Sequence, residues 1–133
     1  MKSFHDYWLT GHTVDGEKRL LTFKLSEDPR GTKNPYLAEL LFEEVQDYFL
    51  EHDLGVNIVY SITEKPLDNF LAENLENFVE QSKWGWPKFW KGDLEKTQTF
   101  LSSNHCRIWE MQTSYGLSGW VVATQVRENT HVA

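Results

Sequence analysis

Residues 36–52 read YLAELLFEEVQDYFLEH, and two periods compete for them. Leu37, Leu41, Val45 and Tyr48 fall at helical spacing, and Asn34-Pro35 just before them suits a helix start. The same residues also read as a strand. That strand sets Leu40 and Phe42 together, kinks at Glu43-Glu44-Val45 and resumes through Tyr48 and Leu50. Periodicity alone slightly favours the helix.

The flanks are less ambiguous. Residues 6–25 predict a hairpin around Asp15-Gly16, a pair that tolerates the positive φ of tight turns. In its second arm Leu21, Phe23 and Leu25 alternate with Thr22 and Lys24, as a half-buried strand requires. SEDPRGTKNP, residues 26–35, is a loop rich in Pro, Gly and charge. On the other side, Val56, Ile58, Tyr60 and Ile62 share one face of a predicted strand. At Pro66 the period changes, and Leu67, Phe70, Leu71, Leu75, Phe78 and Val79 form one helical stripe with Glu73, Glu76 and Glu80 outside it. Asp93 offers an N-cap for a second helix through Leu94, Thr97 and Leu101. CRIWEMQTSYGLSGWVVATQV, residues 106–126, reads as two strands joined at SYGLSG. Trp120-Val121-Val122-Ala123 is apolar on both faces, which predicts a central strand.

The chain has 133 residues, room for one domain over 1–133 with a sizeable core. Its 40% hydrophobic and 14% aromatic content is too high for a disordered chain. A net charge of −7 opposes nucleic acid and anionic membrane surfaces and draws in cationic partners instead. Cys106 is the single cysteine, which excludes an internal disulfide and multi-cysteine zinc motifs. The N-terminal residues lack the uninterrupted apolar run of a signal peptide, and no segment has the length of a spanning helix. The expectation is a cytoplasmic protein that engages neither membrane nor nucleic acid.

SKWGWPKFWKG, residues 82–92, concentrates Trp84, Trp86, Phe89 and Trp90 with Lys83, Lys88 and Lys91. Gly85 and Pro87 break any helix, so the segment turns around the end of the first helix. It reads either as a stacking platform for a ligand or as a lid in which Trp86, Phe89 and Trp90 cap the core. A small domain needs the buried area, so Trp86 and Trp90 are predicted mostly buried and Trp84 more exposed.

Three segments carry a resemblance: VNIVYSITEKPLDNFL (56–71), GWPKFW (85–90) and SYGLSGWVVA (114–123). With a looser match at AELLFEEVQDYFLEHD (38–53), they resemble small bacterial proteins grouped with the immunity proteins of polymorphic toxins. The resemblance implies a bulged strand over 38–52, against the periodicity. It also implies an α+β fold, an antiparallel sheet with two helices packed on one face, and binding rather than catalysis. It brings no catalytic residues.

No catalytic constellation stands out in the residues themselves. His5, His12, His52, His105 and His131 form no metal-ligand pattern, although His5-Asp6 and His52-Asp53 could meet across strands. His105 and Cys106 are adjacent, and neighbours on a strand point to opposite faces, so Cys106 reads as a small buried hydrophobe. No nucleophile elbow, P-loop or dinucleotide fingerprint is present, and no cofactor, metal or enzymatic activity is expected. Glu39, Glu43, Glu44, Asp47, Glu51 and Asp53 cluster in sequence. They read as an ordinary solvated face or as a docking surface for a cationic protein, such as a toxin whose active site the chain occludes. The alternative is a small-molecule or peptide cleft built from Trp84, Trp86, Trp90, Tyr115 and Trp120.

Overall fold

The computed structural model describes residues 3–31, 33–51, 57–113 and 118–132. The fold is α+β, with eight strands and two helices among these residues: β1 (Trp8–Asp15), β2 (Leu20–Ser26), β3 (Tyr36–Glu43), β4 (Asp47–Glu51), β5 (Val59–Lys65), α1 (Leu67–Gln81), α2 (Leu94–Ser103), β6 (Arg107–Thr113), β7 (Ser118–Ala123) and β8 (Gln125–Val132). A 3-10 turn, Ser82–Trp84, follows α1. Residues 36–51 are thus extended, as the resemblance implies and the helical spacing does not.

The strands form two antiparallel sheets, not one: β1-β2-β3-β8 and β4-β7-β6-β5. The division falls inside two long strands that bend together. Glu44 takes a left-handed φ of 52° between β3 and β4, and Thr124 separates β7 from β8. Backbone bonds from Gln46 to the Val122 carbonyl (2.8 Å) and from Thr124 to the Glu43 carbonyl (3.0 Å) hold the paired bends in register. The bent strand over 119–126 therefore belongs to both sheets, its first part in β7 and its last in β8. At the far side Leu9 donates to the Asn57 carbonyl (2.8 Å) and Val59 to the Tyr7 carbonyl (2.7 Å). These bonds join β1 to the start of β5 and close the two sheets into a barrel-like wall.

The wall encloses the first core. Leu21, Phe23, Leu25, Ala38, Leu40 and Phe42 from one sheet meet Val59, Trp109, Met111, Val121 and Ala123 from the other. Register explains one departure from simple alternation: β5 carries a bulge between Val59 and Ser61. The bulge turns Val59 and Ile62 toward the core and leaves Tyr60 exposed, where strict alternation would group Tyr60 with Ile62.

A second core lies outside the wall, between β6–β7 and the helices. Phe70, Leu71 and Phe78 of α1 and Leu101 of α2 pack with Phe89 on Ile108, Trp120 and Val122. Both helices therefore cover the same sheet face. β7 is buried on its two sides, and its place between β4 and β6 is the central position its sequence predicts. Asp93 caps α2, accepting from the Lys96 amide at 2.8 Å. Val79 departs from the predicted stripe: at 52% exposure it lies off the packed face of α1.

Candidate functional site: the outer face of the bent strand and the aromatic turn

Along β3 the even positions Ala38, Leu40 and Phe42 point into the barrel, so Leu37, Glu39, Leu41 and Glu43 face outward. Past the bend Tyr48 and Leu50 pack inward, and Asp47, Phe49 and Glu51 continue the outward face. One bent strand thus displays acids and partly exposed apolar groups in alternation over a contour of up to about 40 Å.

The acids on this ridge differ in what they already hold. Glu43 pairs with Arg127 and accepts from Gln125 Nε2 at 2.6 Å. Asp47 accepts from the Tyr48 amide (2.8 Å) and the Lys88 amide (2.9 Å), tying the aromatic turn to β4. Glu51 accepts from the Ser118 hydroxyl at 3.2 Å. Glu39 and Glu44 are exposed and pair with no cation among the described residues. Asp53 lies outside the described residues. The described part of the acidic cluster is therefore one outward-facing line turned at Glu44, with three of its members, Glu43, Asp47 and Glu51, already accepting hydrogen bonds within the fold. On β5, at the opposite edge of the second sheet from β4, Glu64 is bonded by Arg107 Nε at 3.0 Å, and that hydrogen bond holds its carboxyl below the usual range.

The aromatic residues do not share one cleft. Gly85, at φ 76°, ends the 3-10 turn and leaves the Trp84 side chain 80% exposed without a ring contact among the described residues. Trp120 is 7% exposed and sits under the turn, its ring 5.7 Å from Trp86 and 5.9 Å from Phe89. Trp86 and Trp90 are partly exposed but have most of their surface covered against this second core, as the sequence predicts. Tyr115 lies outside the described residues. The lysines disperse too: Lys83 pairs with Glu80 (3.1 Å) and Lys91 lies 4.0 Å over the Phe100 ring. Lid, not platform, describes most of this segment.

Cys106 is buried, and burial pushes its thiol pKa up, against a smaller downward pull from Arg19. At neutral pH it is a thiol. Disulfide exchange with an aromatic disulfide reagent at pH 8 is expected to run at least about tenfold slower than for free cysteine, rising to the free rate in denaturant. A native rate equal to that of free cysteine would contradict the burial. His5 lies 3.3 Å from Asp6 and edge-on to Tyr60, while His52 and Asp53 fall outside the described residues. Among the described residues no three His, Cys, Asp or Glu side chains converge to hold a metal, and no helix is long and apolar enough to cross a membrane.

Sequence reasoning missed one feature. A cavity of about 390 Å³ opens where the β1–β2 loop, the β3–β4 bend and the aromatic turn meet, lined by Val14, Arg19, Val45, Asp47, Tyr48 and Lys88 among others. Comparison with known protein families, curated proteins and solved structures gives no match.

Proposed function

We propose that this chain is a non-catalytic protein-binding module of the cytoplasm that docks a cationic protein along the outer face of the β3–β4 strand. A toxin-neutralising immunity protein, acting by steric and electrostatic occlusion, is the specific form suggested by the sequence resemblance. The observation that carries the reading is the ridge itself. Among the described residues Glu39 and Glu44 stand exposed without cationic partners, and Phe49, 38% exposed, lies between Asp47 and Glu51. Aromatic anchors ringed by charge recur at protein interfaces, and unpaired carboxylates speed encounter with lysines and arginines. The net charge of −7 adds long-range attraction of the same sign.

The test is co-expression and co-purification with the product of the adjacent gene, comparing the parent with a Glu39→Lys, Glu44→Lys, Glu51→Lys variant. These three acids, unlike Glu43, hold no ion pair among the described residues. Association is expected to slow by about tenfold or more, with weaker dependence on salt, while each substitution changes stability by no more than about 0.5 kcal/mol. Rescue from a toxic neighbour that the variant loses supports the reading. A neighbour that is neither toxic nor bound, or one bound equally by both forms, overturns it.

A further inference from the structure

The cavity at the junction of the three segments, unlike the acidic ridge, brings two cations, Arg19 and Lys88, beside two carboxylates, Asp15 and Asp47. Arg19 reaches it from the β1–β2 loop at a left-handed φ of 58°. Such a conformation is uncommon for a long side chain and recurs where surrounding structure fixes a functional group. Reciprocal bonds fix it here: the Val45 amide donates to the Arg19 carbonyl at 3.0 Å, and Arg19 Nε donates to the Val45 carbonyl at 3.1 Å. With Nε engaged, the two terminal guanidinium nitrogens are left without a partner among the described residues. Lys88 joins the lining from the aromatic turn, positioned by the hydrogen bond its backbone N–H donates to the Asp47 carboxylate (2.9 Å), and its ammonium is likewise unpaired among the described residues.

The other charged groups at the cavity are Asp15 and Asp47. Both are already hydrogen-bonded by backbone amides: Asp15 by Lys18 at 3.0 Å, Asp47 by Tyr48 at 2.8 Å and Lys88 at 2.9 Å. Val14, Leu20, Leu21, Val45 and Tyr48 supply an apolar wall. The volume, about 390 Å³, lies at the small end of ligand pockets.

We propose that this cleft binds a small organic carboxylate, with Arg19 and Lys88 taking the anionic head and the Val14–Leu21–Val45–Tyr48 wall taking its apolar body. A guanidinium fork matches a carboxylate bidentately, and the adjacent ammonium adds a second charge-assisted bond. A dianionic phosphate fits less well, because Asp15 and Asp47 repel the second charge. A cationic ligand would meet Arg19 and Lys88 unpaired. The inference does not depend on the docking ridge: a ligand here and a protein there are separable.

3-Phenylpropionate is the probe, with 3-phenylpropan-1-ol as its neutral counterpart and inorganic phosphate as the second anion. Titration of the isotopically labelled full chain, followed by amide shifts, is expected to give saturable changes at residues 14–21, 45–48 and 88. A dissociation constant near or below about 1 mM is the scale for one charged head and a small apolar body. The alcohol and phosphate should each bind about tenfold or more weakly. Lys88→Gln, which removes an unpaired ammonium, should weaken the carboxylate about fivefold or more, and Lys83→Gln, remote and paired to Glu80, should not. Equal binding of acid and alcohol, equal binding by parent and Lys88→Gln, or no saturation by about 10 mM would overturn the proposal.

Discussion

Replacing Trp120 with alanine is expected to remove about 3–5 kcal/mol of folding stability, the range for large buried aromatics. Its ring stands 5.2 Å from Phe70, 5.8 Å from Phe78, 5.7 Å from Trp86, 5.9 Å from Phe89 and 6.2 Å from Phe49. Those partners come from α1, the aromatic turn and β4, so one side chain joins three segments to β7. Truncation leaves a void bounded by rings that cannot all close in, and the lost contacts add to the lost burial. A domain of this size has roughly 5–15 kcal/mol in total, so the variant should unfold at a clearly lower urea concentration. Trp84→Ala is the matched control, expected within about 0.5 kcal/mol of the parent because the indole is 80% exposed. Trp90→Ala should fall between them: its ring is half-buried and meets Phe78 at 6.4 Å. Equal midpoints for Trp120→Ala and Trp84→Ala would show that the aromatic turn rests on the sheet without stabilising it.

Much of this fold is legible in the sequence because two-faced burial leaves a signature. The run Trp120–Ala123 is apolar at every position, and β7 is covered by the barrel core on one side and the helices on the other. The change of period at Pro66 marks the β5–α1 boundary for the same reason: the packed face changes from every second residue to every third or fourth. The ambiguity at 36–52 has a physical origin as well. Leu37 and Leu41 are half-buried on the outer face of β3, whereas Val45 and Tyr48 belong to the inner core beyond the bend. Two faces of a bent strand, read in one line, imitate the single stripe of a helix.

The strand reading places a kink at Glu43-Glu44-Val45, where one bend lies, but neither the partner bend at Thr124 nor the division of the sheet is legible. Glu44 adopts positive φ without being glycine or asparagine, so the usual mark of such a conformation is missing. Without the bends, one sheet is the natural reading; with them, two sheets wrap a common core. The bulge at Tyr60 hides in the same way, since Tyr60 and Val59 are both good strand formers. At the functional level, the acidic stretch is visible as composition, but which acids stand free depends on Arg127 and on the Lys88 amide, both contributed by remote segments. The Arg19–Lys88 cleft is invisible for that reason too. Neither residue lies in a motif, and only the paired bend brings the β1–β2 loop and the aromatic turn to one opening.

Gly119→Ala tests whether the ridge and the second core depend on one close backbone approach. Gly119 pairs with Leu50 across β4 and β7. A Cβ placed at residue 119 would overlap the Phe49 carbonyl oxygen and stand 2.8 Å from Leu50 Cδ2. The Leu50 side chain has rotamers to give, but the carbonyl is backbone and moves only if β4 moves. Overpacking a tight site typically costs about 1–3 kcal/mol; with backbone as the obstacle, the upper end or beyond is expected here. The damage should be directional. β4 carries Asp47, Phe49 and Glu51, and it lies at the edge of its sheet, so its detachment leaves β5, β6 and β7 paired. Amide exchange should therefore speed up along 47–51 and at Lys88, whose amide is held by Asp47, more than along 107–113. Under the proposed docking function, association with the partner should weaken with it, because half of the outward acidic line moves. A Gly119→Ala protein with parental stability and unchanged exchange at 47–51 would mean that β4 yields freely to a methyl group, and the tight β4–β7 contact would then have no part in holding the ridge.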